Sequence, residues 1–197
     1  MHLSLIVFLL SSILFSQIIE SSKNSPLHVL SSELLNNKEI KLDNKIEFDT
    51  KWVDSLKLVL PCENIKVPKR AMRLPNAPRD YRNGVHRGID FFANWGTPVR
   101  AVAKGTVIRS DLFYEEVPAE FRENMLESSA RVGNTPSDIF NSILLGKAVF
   151  LDHGFDLIPG FRVISIYAHL SHIEKKIKPG YIMKSGELMG KSGNTGM

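Results

Sequence analysis

From about Arg79 to the end of the chain, apolar stretches last only a few residues and each is closed by glycine or proline. Strands broken this often cannot be joined by the long crossovers that parallel pairing needs, so the pattern predicts an antiparallel, mainly β fold. Residues 98–103 and 106–108 flank Lys104-Gly105, which predicts a hairpin turn. Residues 148–151 and 161–170 flank a longer loop holding Gly154, Pro159 and Gly160. Lys178-Pro179-Gly180 and Lys184-Ser185-Gly186 divide the last segment in the same manner.

One insertion, about residues 117–146, has a helical period instead. Residues 118–131 place Phe121, Met125 and either Leu126 or Ala130 on one stripe, and Gly133-Asn134 supplies a stop. A second helix is expected from Thr135-Pro136, where threonine can cap and proline suits the first turn. Its apolar residues Ile139, Ile143 and Leu144 recur at helical spacing until Gly146.

Upstream the pattern differs. At 197 residues the chain has room for one ordinary domain and a short leader. Leu3 to Ile19 carry no charge and are mostly apolar, which marks residues 1–22 as a secretory signal peptide or an uncleaved N-terminal anchor. No lysine or arginine precedes that run. Either reading places the rest of the protein outside the cytoplasm: exported, and periplasmic, envelope-bound or extracellular. Residues 23–75 form an extension of unassigned role, with strand-like alternation over 40–48 and 52–60, and residues 66–79 make a polar connector. The single cysteine, Cys62, excludes an internal disulfide and is expected to be a small buried hydrophobe. A net charge of +4 suits an anionic surface but equally a solvated exterior, and no basic–aromatic cluster points to nucleic acid. Membrane contact is expected only through the leader.

Two short segments carry chemistry. In His86-Arg87-Gly88-Ile89-Asp90 an imidazole and a carboxylate stand four residues apart. On a straight strand they would be about 13 Å apart, whereas shared zinc ligation needs both within about 2.0–2.2 Å of one point. Gly88 permits a bend that closes the gap and disfavours a helix. The same spacing also suits two residues that are merely exposed. The second segment is Tyr167-Ala168-His169-Leu170-Ser171. Period two sets Ile164, Ile166, Ala168 and Leu170 on a core face, and Val163, Ser165, Tyr167 and His169 on the other. A histidine at the end of such a strand can enter a groove as proton donor or oxyanion stabiliser, or simply sit half-exposed on the sheet. His153 is expected to be structural.

In order along the chain come residues 79–91, Gly96-Thr97-Pro98-Val99 with Gly105-Thr106-Val107, Asp152-His153-Gly154, residues 167–171, and residues 186–196 ending in Gly-Asn-Thr-Gly. Together they resemble the motifs of lysostaphin/LytM-type zinc metallopeptidases over roughly residues 76–197. The resemblance implies a barrel-sandwich-like antiparallel peptidase domain with a helical insertion. It implies zinc as cofactor, His86 and Asp90 as metal ligands, His169 as a catalytic histidine, and a peptidoglycan peptide as substrate. That family's next motif, His-x-His, does not occur in these 197 residues. The expectation is therefore an incomplete domain lacking its last strand or strands, and a weakened or silent enzyme, because catalytic zinc usually has three protein ligands. Two alternatives stand beside it: a non-catalytic module that binds wall or activates hydrolases, and an unrelated antiparallel protein that takes metal incidentally.

Overall fold

The computed structural model describes residues 47–196 and, of the N-terminal segment, the backbone of residues 2–10. In chain order the strands are β1 (His2–Leu10), β2 (Pro78–Arg79), β3 (Gly84–Val85), β4 (Ile89–Asn94), β5 (Pro98–Arg100), β6 (Gly105–Ser110), β7 (Val149–Asp152), β8 (Ile164–Tyr167), β9 (Leu170–Ile173), β10 (Ile182–Met183) and β11 (Leu188–Ser192). One sheet has the order β10-β6-β7-β8-β1-β4, a second β5-β11-β9, and β2 pairs with β3 alone. Every one of these pairs is antiparallel. The fold is mainly β with little helix, as the punctuation of the sequence requires.

The main core lies between the two larger sheets. It takes Phe91 and Ala93 from β4, Val107 from β6, Leu151 from β7 and Tyr167 from β8 on one side. Val99 of β5, Ile173 of β9 and Met189 of β11 close it from the other. Cys62 belongs to this core, and burial pushes its thiol up to about 11, so it stays protonated and inert.

A buried polar chain crosses this core in a fixed direction. The Val102 amide donates to the Tyr167 hydroxyl at 2.8 Å, which lies 3.1 Å from Ser165 Oγ. Ser165 Oγ in turn lies 2.8 Å from His153 Nε2. Because His153 Nδ1 is 2.7 Å from the Lys104 carbonyl, an acceptor only, Nδ1 carries the proton and Nε2 accepts from Ser165. Four polar side-chain atoms are thereby satisfied without water, and His153 has the structural place its sequence context suggested.

Several local expectations are corrected. No hairpin joins residues 98–103 to 106–108: β5 pairs with β11, whereas β6 pairs with β7 and β10. Gly105 marks a close approach instead, since a Cβ there would lie 2.7 Å from the Asp152 carbonyl oxygen. Residues 52–60 are not a strand. Residues Lys51–Asp54 form a single turn, α1, and the chain then runs extended with one sheet-like bond, Val59 N–H to the Val102 carbonyl at 2.9 Å. Residues 40–46 of the other alternating stretch lie outside the described residues, as do residues 11–22 of the expected leader, whereas its residues 2–10 form β1 between β8 and β4.

The faces of β8 also differ from a simple alternation. Tyr167 and Leu170 share the main core, while Ile166 and Ala168 pack with Phe140 and Leu145 in a second cluster. The cause is His169, whose φ of 59° is left-handed. That conformation ends β8 and resets the phase before β9, so Leu170 points where strict period two forbids.

The insertion is helical as expected, with α2 (Ala119–Arg131) and α3 (Ser137–Ile139) running on through a π turn over Phe140–Leu144. Gly133, at φ 74°, stops α2. Of the expected stripe Met125, Leu126 and Ala130 are half-buried beside the buried Ser129, and only Phe121 departs, at 49% exposed. Thr135 does not cap α3. Its hydroxyl donates to the Arg82 carbonyl at 3.0 Å and accepts from Arg82 Nη1 at 3.2 Å, tying the insertion to the segment just before β3.

Candidate metal centre

Between β3 and β4 the chain turns over residues 86–88. The His86 backbone is clamped on both sides: its amide donates to Ala77 O and its carbonyl accepts from Asn76 N, both at 2.8 Å. The ring is 4% exposed, with Nδ1 3.0 Å from the Leu74 carbonyl. A carbonyl only accepts, so Nδ1–H donates, and in the neutral ring Nε2 then carries a lone pair. Asp90, the second residue of β4, brings Oδ1 to 2.9 Å from that nitrogen. The separation is that of a salt bridge, yet Nε2 has no hydrogen-bond partner. In the neutral ring, Nε2 and the carboxylate are both acceptors, which accounts for a close approach without a hydrogen bond. Two acceptors facing at 2.9 Å without a hydrogen bond mark a place for a cation. Arg79 flanks the other carboxylate oxygen, with Nη2 3.5 Å from Oδ2.

His169 faces the same cleft from the link between β8 and β9. Its Nδ1 lies 2.8 Å from the Thr195 carbonyl, so here too Nδ1 is protonated and Nε2 is free to accept. Burial holds this imidazole below the usual histidine range, against the Thr195 bond and the Asp90 charge, which pull it up. It is therefore neutral at pH 7. A non-glycine residue at φ 59° stores strain of the order of 1–3 kcal/mol, which functional sites often hold. The surrounding structure enforces it: the His169 amide donates to Leu145 O at 2.9 Å, and Thr195 Oγ1 bridges the Lys147 amide and the Leu170 carbonyl.

The cleft has a volume of about 270 Å³ and is lined by Arg79, Arg82, Arg87 and Arg122 besides the three residues above. Arg122 pairs with Glu116 at 3.3 Å, and the Glu116 carboxylate also accepts the Gly196 amide with both oxygens at 3.0 Å. The sequence thus brings His86, Asp90 and His169 together. It leaves His153 in the core and His172 on the surface beside Glu174, with Nε2 3.7 Å from Oε1. Leu74, Thr195 and Glu116 were not singled out as site residues. Leu74 and Thr195 act through backbone carbonyls, which leave no trace in residue type, and only the Gly-Asn-Thr-Gly turn hinted at Thr195. Among the described residues no group of three His, Cys, Asp or Glu is arranged to hold a metal.

No family model matches the chain, and no curated protein matches it. Among solved structures it is similar to a crystal structure from Pseudomonas aeruginosa described as a candidate peptidase M23, at 24% identity and a TM-score of 0.33. The match covers 88% of this chain and 52% of that one, so the chain spans about half the length of the structure it matches. At that TM-score the likeness bears on neither fold nor chemistry; the residues of the cleft are what remain to be explained.

Proposed function

We propose that this chain carries a zinc-dependent metalloendopeptidase domain of the LytM/lysostaphin type, acting outside the cytoplasm on peptide bonds of peptidoglycan. The observation that supports it most is the approach of His86 Nε2 to Asp90 Oδ1, 2.9 Å apart in a buried cleft, with no hydrogen-bond partner for Nε2 among the described residues. Two donors bound to one tetrahedral zinc at about 2.1 Å sit roughly 3.4 Å apart, so the pair needs only slight opening to grip the ion. Imidazole nitrogen and carboxylate oxygen are both zinc donors, and the Leu74 carbonyl behind the ring fixes the metal-binding tautomer. His86 and Asp90 fit half of such a donor set.

Zinc, when bound, would polarise a scissile carbonyl and make a water acidic enough to attack near neutral pH. The chain's own part is proton handling and placement. Neutral His169, with Nε2 open to the cleft, takes a proton from an attacking water and then, as imidazolium, stabilises the oxyanion or passes the proton to the leaving amine. The order differs from a histidine that starts as donor, because the Thr195 carbonyl fixes the proton on Nδ1.

Purified peptidoglycan and bridge peptides incubated with the protein and zinc should release new amino termini, but slowly, because His86 and Asp90 supply only half of a zinc donor set. A chelator should stop this. Asp90→Asn should lower the rate beyond the ~10–100-fold typical of losing a metal's supporting partner, and His169→Ala should lower it while zinc stays bound. Release of no amino termini from either substrate at saturating zinc contradicts the proposal. Binding to wall without cleavage points instead to a non-catalytic envelope module.

A further inference from the structure

Four arginines line the cleft, and they divide into two kinds. Arg79 is matched by Asp90 and Arg122 by Glu116. Among the described residues Arg82 and Arg87 have no carboxylate within ion-pair distance, although Arg82 is only 3% exposed. Arg82 spends its donors on neutral oxygens, Thr135 Oγ1 and the Val85 carbonyl at 2.7 Å. Arg87 lies with its guanidinium 4.5 Å from the Phe140 ring centroid, and Arg82 lies 5.6 Å from the same ring. Two like charges therefore share one aromatic ring at the wall of the cleft, with no carboxylate among the described residues to compensate them. The buried charge of Arg82, met only by neutral oxygens and the ring, is unfavourable unless something anionic arrives.

We propose that Arg87, backed by Arg82 and shelved on Phe140, is a carboxylate-binding subsite that fixes which peptides enter the cleft beside His86, Asp90 and His169. This deepens the peptidase reading and rests on it only for calling the ligand a substrate. A planar guanidinium with free donors matches a carboxylate bidentately, and stacking on Phe140 holds its plane without using those donors. Arg87 is exposed, so an anion can reach it from solvent. The carboxylate can belong to an acidic side chain or to a free C-terminus, since the chemistry presented by Arg87 is the same for both.

The test measures binding of three fluorescein-labelled Gly/Ala hexapeptides in chelator, so that no metal competes for the carboxylate. One carries a single Glu and an amidated C-terminus, one carries Gln and a free C-terminus, and one carries Gln and an amidated C-terminus. At least one acidic peptide should bind about tenfold or more tightly than the fully amidated one at low salt. Which acidic peptide wins identifies the source of the carboxylate. Arg87→Gln should erase the preference, and Arg87→Lys should keep part of it, losing the bidentate geometry but not the charge. Equal binding of all three peptides, no binding of any, or an Arg87→Gln variant with an undiminished preference overturns the subsite. Failure of the peptidase reading looks different: the carboxylate preference persists while no peptide is cut with zinc present.

Discussion

His86, His153 and His169 each donate Nδ1–H to a backbone carbonyl, of Leu74, Lys104 and Thr195 respectively. The shared device fixes three tautomers, and what each Nε2 then meets decides its role. For His153 it meets Ser165 Oγ in the core, for His86 the Asp90 carboxylate, and for His169 the cleft. His153 makes a testable contribution to stability. Burial depresses its pKa below the ordinary value, ahead of the Lys104 bond and the Asp152 charge, which raise it. The unfolded chain therefore takes up a proton at a pH where the native chain does not. Stability is complete above about pH 6.5, the unperturbed histidine value, and is lost as pH falls through that value toward the folded one. Chemical denaturation between pH 8 and 5 should show this fall, and His153→Gln should shallow it; an unchanged slope in the variant would remove His153 from the account. The His86–Asp90 approach was legible in the sequence because four residues and a glycine suffice to describe it. The partners of Arg82 and His169 were not legible, since Thr135 lies 53 residues from Arg82 and Thr195 lies 26 from His169.

At the scale of elements, the helical insertion is anchored to the site it borders. Thr135 both donates to and accepts from Arg82, a buried arginine whose guanidinium also reaches the Val85 carbonyl. Thr135→Val keeps the shape but strips both bonds and leaves a buried charge short of a partner. It should destabilise the fold by about 1–3 kcal/mol, at roughly 2–4 °C in Tm per kcal/mol for a chain of this size. Thermal unfolding followed by circular dichroism checks it; a Tm equal to that of the parent would show the insertion is held elsewhere. Element type was readable wherever a period ran long enough, as in α2. It failed at Lys104-Gly105, because a glycine needed for close approach to Asp152 looks the same as a glycine needed for a turn. It failed again at β8, where two buried faces share one strand and a left-handed histidine shifts the phase.

For the whole molecule, two antiparallel sheets enclose the core, and the cleft opens where β4, the β8–β9 link and the insertion converge. Backbone carbonyls in the loops, of Leu74, Lys104 and Thr195, orient the histidines, which is why composition and charge said so little about function while ordered motifs said more. The account depends on a divalent cation between His86 Nε2 and Asp90 Oδ1. The most direct measurement is calorimetric titration of zinc into the protein beside His86→Gln and Asp90→Asn, two near-isosteric variants. One zinc per chain is expected, with affinity reduced beyond ~10–100-fold in either variant. Zinc binding of equal strength in all three proteins would contradict the account.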